Sequence, residues 1–151
     1  MIQTTNTATI SVSINDTTLA WSYALVESTA RAHVSPSGTI TVECDSGAWT
    51  VTYVMESTRF QLFSAIINTN TSEINTLTDF NQIIGLVFDP NVNDAAPGET
   101  VVSTASFGFL NLGGSVTSPV GMSFSLMART VEDLHVIISH DPQVKNGEVP
   151  D

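Results

Sequence analysis

Basic side chains are what this 151-residue sequence most conspicuously lacks. Arg31, Arg59, Arg129 and Lys145 are its four cations, against 15 carboxylates, for a formal net charge of −11 at neutral pH. Such a chain repels phosphate backbones and has no basic stripe with which to release counterions, which excludes nucleic acid as a partner. Anionic membrane surfaces are disfavoured for the same reason. One cysteine, Cys44, leaves no internal disulfide to form. No apolar run reaches the ~18 residues of a membrane span. The opening Met1-Ile2-Gln3-Thr4-Thr5-Asn6 has neither the basic nor the apolar segment of a secretory leader, so a cytoplasmic protein is expected. Charged residues make up 13% of the chain, about half the usual ~25%.

Threonine and serine supply the missing polarity, with 20 Thr and 17 Ser. Threonine is β-branched and suits a pleated, half-solvated surface, so the composition favours sheet. Periodicity agrees. Ala8, Ile10, Val12 and Ile14 alternate with Thr9, Ser11 and Ser13, which predicts a strand with one buried face. Thr18 to Ala32 carries two competing patterns: Leu19, Tyr23 and Val26 have helical spacing, while Trp21, Tyr23 and Leu25 have strand spacing. Strand is the preferred reading. Ser35-Pro36-Ser37-Gly38 predicts a turn. Ile40, Val42 and Cys44 then share a strand face, Asp45-Ser46-Gly47 turns the chain, and Trp49 to Tyr53 alternates again.

Phe60 to Ile67 is a more continuous apolar run. Ile83 to Phe88 is a short run of the kind found in a strand covered on both faces. Asp89 to Gly98 reads as a loop, Val101 to Leu110 as one or two strands, and Asn111 to Gly114 as a turn. At the end, Val120, Met122, Phe124 and Leu126 share one strand face, and Leu134, Val136 and Ile138 share another, with His140 continuing the row. The polar link Arg129 to Asp133 between them predicts an antiparallel hairpin. Turn signals at this spacing predict an all-β antiparallel sandwich, jelly-roll or immunoglobulin-like, of seven to nine strands in one domain spanning 1–151.

Chemistry-bearing motifs are sparse. Cys44 would serve as a nucleophile beside His33, His135 or His140, but its strand parity with Ile40 and Val42 assigns it to the core. The histidines lack metal-site spacing; His135 and His140, five apart, fall on opposite strand faces. Asp89, Asn91, Asn93 and Asp94 place oxygen ligands as a calcium loop begins. Asp94 and Thr100 stand where an EF-hand needs glycine and glutamate, so the motif reads as an Asn/Asp turn, with an irregular Ca²⁺ site as the alternative. Gly113-Gly114-Ser115 is no nucleophile elbow. Trp21, Tyr23, Trp49 and Tyr53 are the candidates for stacking on a sugar, but their alternation with polar neighbours suits core aromatics too, and core packing is the preferred reading. No cofactor and no catalytic residue is expected, and the protein reads as a non-enzyme.

Three segments resemble the PixA/AidA family of bacterial inclusion-body proteins. Phe124-Ser125-Leu126, the strand from Leu134 to Ser139 and His140-Asp141-Pro142 are similar to that family's closing hairpin, with His140 where the family has tryptophan. Ile10-Ser11-Val12-Ser13-Ile14-Asn15-Asp16 resembles its first strand, and Gly47-Ala48-Trp49-Thr50-Val51 with Phe60 its central one. The resemblance implies a cytoplasmic bacterial β-sandwich with no established catalytic residues, of a family in which some members accumulate as inclusions. Self-association is expected from the Thr/Ser-rich, charge-poor β surface with its one lysine. A carbohydrate-binding sandwich, calcium-assisted or not, is the competing class.

Overall fold

The structure is a computed structural model that describes residues 6–43, 47–68, 83–89, 99–109, 121–133, 135–139 and 143–147. The described residues form eleven strands and no helix: β1 (Asn6–Ile14), β2 (Trp21–Ser28), β3 (Ala32–Val34), β4 (Ile40–Glu43), β5 (Trp49–Ser57), β6 (Phe60–Asn68), β7 (Ile83–Asp89), β8 (Val101–Phe109), β9 (Gly121–Thr130), β10 (Val136–Ile138) and β11 (Gln143–Gly147). Among the described residues no helix is long and apolar enough to cross a membrane.

Two sheets share one apolar core. The first has the order β2-β1-β5-β8-β7; the second runs β10-β9-β11-β4-β3, with β6 on the other side of β9. Alternation decides which residues meet between them. Ala8, Ile10 and Val12 of β1, Ile40 and Val42 of β4, and Trp49, Val51, Tyr53 and Met55 of β5 are all buried. They pack with Phe60, Leu62, Ala105, Phe107, Leu126 and Ala128, so strands of both sheets contribute to a single cluster. The Thr18 to Ala32 ambiguity resolves as strand. Trp21, Tyr23 and Leu25 pack against the core, whereas Leu19 and Val26 of the helical set are exposed.

Two features correct the sequence reading. The sheets are mixed, since β1 pairs with β5 in parallel and β11 with β4 in parallel, where antiparallel pairing throughout was expected. An alternating strand buries the same face whichever way its neighbour runs, so the pattern carries no direction. The strand count is also higher. β3 and β10 have three residues each, and β10 and β11 lie end to end along β9, pairing at Ile138↔Met127 and Gln143↔Ser123. Ser139 sits at the break between them. Its N–H donates to the Leu126 carbonyl, and its Oγ accepts from the Leu126 N–H at 2.7 Å.

The closing hairpin is present, and Val136 and Ile138 do share a face, but that face is the outer one. Both are more than half exposed, and Ile137 between them packs against the core. Strand β7 pairs only with β8 among the described strands, at one end of the first sheet. Val101 to Phe109 is one strand. Cys44 and the turn expected at Asn111 to Gly114 lie outside the described residues.

Candidate functional site

Three of the four aromatic candidates, Trp21, Tyr23 and Tyr53, form a diagonal row with Phe107 across the inner face of the first sheet. Trp21 and Tyr23 stack at 6.4 Å between ring centroids, Tyr23 meets Tyr53 edge-on at 6.3 Å, and Tyr53 stacks on Phe107 at 6.2 Å. Strand parity builds the row, because Trp21 and Tyr23 are two apart on β2 and Tyr53 and Phe107 lie on the strands beyond β1. Trp49 and Tyr53 are fully buried, leaving no ring face for a sugar. Trp21 and Tyr23 are half-buried, at the end strand of the sheet.

The row is tied to the second sheet at the turn between β3 and β4. The Tyr53 hydroxyl donates to the Gly38 carbonyl at 3.4 Å. Gly38 has φ of +92°, and a Cβ there would lie 2.8 Å from Tyr23 Cε2 and 2.9 Å from Cδ2. The turn expected at Ser35 to Gly38 is therefore also a seat for an aromatic ring. Gly38→Ala combines a left-handed backbone with that clash and should lower stability by about 1–3 kcal/mol. Unchanged denaturant stability would contradict this.

Burial raises both phenols. Desolvation pushes Tyr23 up to about 12, opposed by the nearby Ser139 hydroxyl, although no hydrogen bond of good geometry joins the two. Tyr53 is raised further, by desolvation and then by Tyr23. A raised phenol pKa means that the fold favours the protonated form. Its contribution to stability is complete below pH 10 and lost as pH rises through about 12. These are the chain's two tyrosines, so near-UV titration reads them without interference. The native protein should show no tyrosinate near pH 10; a phenol titrating there while the fold persists would contradict the packing.

Among the described residues three buried polar atoms have no hydrogen-bond partner: Trp21 Nε1, the Tyr23 hydroxyl and Gln61 Nε2. Gln61 Oε1 accepts from Arg129 Nε at 2.6 Å, and that guanidinium lies 5.2 Å over the Phe63 ring. Ser103, buried among apolar residues of β8, accepts from the Leu62 N–H at 2.8 Å and links β6 to the first sheet. Its inward place was legible in its parity with Val101, Ala105 and Phe107. The burial of Gln61 had no such signal.

The remaining candidates are not brought together. Asp89 ends β7 opposite Thr104; Asn91, Asn93 and Asp94, like His140, lie outside the described residues. Among the described residues no group of three or more His, Cys, Asp or Glu is placed to hold a metal ion. His33 lies in β3 opposite Thr41. His135 is exposed, with Nε2 3.7 Å from Asp133 Oδ2. The Thr130 hydroxyl holds the Asp133 carboxyl below its ordinary range by donating to it.

Strand β2 is the other distinctive surface. It ends the first sheet, runs for eight residues (WSYALVES) and carries one charged residue, Glu27. Ser22, Ala24, Val26 and Glu27 are exposed. None of the four cations lies on it. Arg31 pairs with Glu43 at 3.6 Å and Arg59 with Asp16 at 3.3 Å. Lys145, the chain's one lysine, sits within the second sheet, on β11 between β9 and β4. No protein-family model matches the chain, and no curated protein sequence matches it.

Proposed function

We propose that this protein is a non-enzymatic β-sandwich that acts by associating with itself, a structural module of the bacterial, cytoplasmic kind that its resemblance to PixA/AidA inclusion-body proteins implies. The observation that carries this reading is the unguarded edge of the first sheet. Natural sheets protect their end strands with lysine, proline, inward charge, bulges or very short strands, and the one bulge of β2, at Val26, leaves its Trp21–Leu25 part regular. Here β2 is eight residues long, has neither lysine nor proline, and carries a single carboxylate. The exposed Val136 and Ile138 add apolar surface on the second sheet. Size-exclusion chromatography with light scattering across a concentration series tests the reading. Mass should rise with concentration, and a strict monomer at every concentration, salt and calcium level would refute it.

A carbohydrate-binding role is the second reading, favoured by the unpartnered Trp21 Nε1 and Tyr23 hydroxyl on half-buried rings. A glycan array run with and without calcium distinguishes it. Reproducible hits that vanish in Trp21→Ala would favour this role over assembly.

A further inference from the structure

We propose that Trp21–Leu25 of β2 pairs antiparallel with the same segment of a second copy, about a two-fold axis at Tyr23. The inference rests on self-association as the function and names the surface that performs it.

The other described ends are short, irregular or tied to the core. Strand β7, at the opposite end of the first sheet, has seven residues, but its register with β8 breaks between Ile84 and Val87, so no five of them form a regular run. Strands β3 and β10 have three residues each, and β6 turns its Leu62 N–H to Ser103. In β2, every second residue directs its backbone N–H and C=O away from β1. No hydrogen bond from another part of the described structure meets that outward side. A bulge limits the usable length. Thr9 faces Glu27 and Ile10 faces Leu25, so Val26 is the extra residue, and the unbroken register runs from Trp21 to Leu25. Bulges bend and twist a strand, so pairing is confined to those five residues.

A five-residue segment pairing with itself antiparallel is centred on its middle residue. Tyr23 then faces Tyr23 of the other copy, Trp21 faces Leu25, and Ser22 faces Ala24. The inward row is the half-buried one, so each copy covers the remaining exposed area of the other's Trp21, Tyr23 and Leu25. The outward pairs are small and uncharged. Glu27 of each copy lies beyond the paired segment, so no carboxylate faces a carboxylate in a chain of net charge −11. The paired segment is thus uncharged, so the approach of two acidic copies meets little local repulsion there. The closed two-fold arrangement also leaves the paired edge consumed. Five residues a side bury less than the ~1,600 Å² of a standard interface, which makes the pairing weak and concentration-dependent.

Ser22→Lys/Ala24→Lys tests the surface by placing lysine on both outward pairs. The double variant reduces the net charge from −11 to −9, so general repulsion falls and cannot explain a loss of association. At a concentration where light scattering shows the wild-type mass doubled, the variant should remain at monomer mass with an unchanged melting temperature. A variant that associates like the wild type overturns the β2 assignment and leaves self-association standing. A wild type that is monomeric throughout overturns both. Register is read separately by oxidising Ser22→Cys chains mixed with Ala24→Cys chains, each in a Cys44→Ser background. Directly opposed positions lie ~5 Å apart and diagonal ones ~7 Å, so the mixture should form disulfide dimers faster than either chain alone. Equal rates overturn the register.

Discussion

A chain lacking Val131–Asp151 should not fold. The deletion removes β10 and β11, and β11 is the strand that joins β9 to β4 in the second sheet. Without it β3–β4 loses its connection to β6–β9, and Ile40 and Val42 lose their anchorage to the rest of the sheet. Ile137 leaves the core, and the Leu126 N–H loses Ser139 Oγ as its acceptor. The strand edges uncovered on β9 and β4 invite aggregation. Folded domains are stable by only ~5–15 kcal/mol, and losing a central strand exceeds that margin. Circular dichroism should show no cooperative melt and most of the product should be insoluble. A soluble, cooperatively melting truncation would contradict the topology.

Trp49→Ala should be the most damaging single substitution among the aromatic residues. Trp49 is 1% exposed and lies on β5, the middle strand of the first sheet, opposite Asn6 of β1 and Phe109 of β8. Replacing a buried tryptophan by alanine removes apolar contact and leaves a cavity, at a cost of about 3–5 kcal/mol. Val26→Ala is the matched contrast. Val26 is 63% exposed, and a substitution there should change stability by no more than ~0.5 kcal/mol. Urea denaturation measures both. A Trp49→Ala cost below ~1 kcal/mol, or equal costs at the two sites, would contradict the burial that separates them.

The sequence pattern is informative wherever local alternation decides the structure. The Ala8–Ile14, Ile40–Val42 and Trp49–Tyr53 patterns identify β1, β4 and β5 with the correct buried face, because each apolar residue at even spacing meets the same core. Direction is not local. That β1 lies parallel to β5 depends on where the chain goes between them, through β2, β3 and β4, and no residue of β1 encodes it. The outward face of Val136 and Ile138 is hidden for a related reason: Ile137 is equally apolar, so composition leaves the choice to the pairing with β9. The same limit applies to the aromatic candidates. Trp21 and Trp49 sit in similar alternating runs, and only their long-range pairing places one on an end strand and the other in the middle of the sheet.

Light scattering across a salt series at neutral pH, repeated during acidification, tests self-association most directly. Net charge of −11 repels copies at low salt. At 0.15 M salt the Debye length is already ~8 Å, and carboxylates neutralise as pH falls toward the sequence pI of about 4.2. Association through backbone and apolar contacts along β2 should therefore strengthen as either barrier drops, with the mass rising from one copy toward two as salt rises and as pH falls. Arg31, Arg59, Arg129 and Lys145 are too few to hold many copies together by ion pairs. Assemblies that dissolve as salt rises would contradict pairing through an uncharged edge.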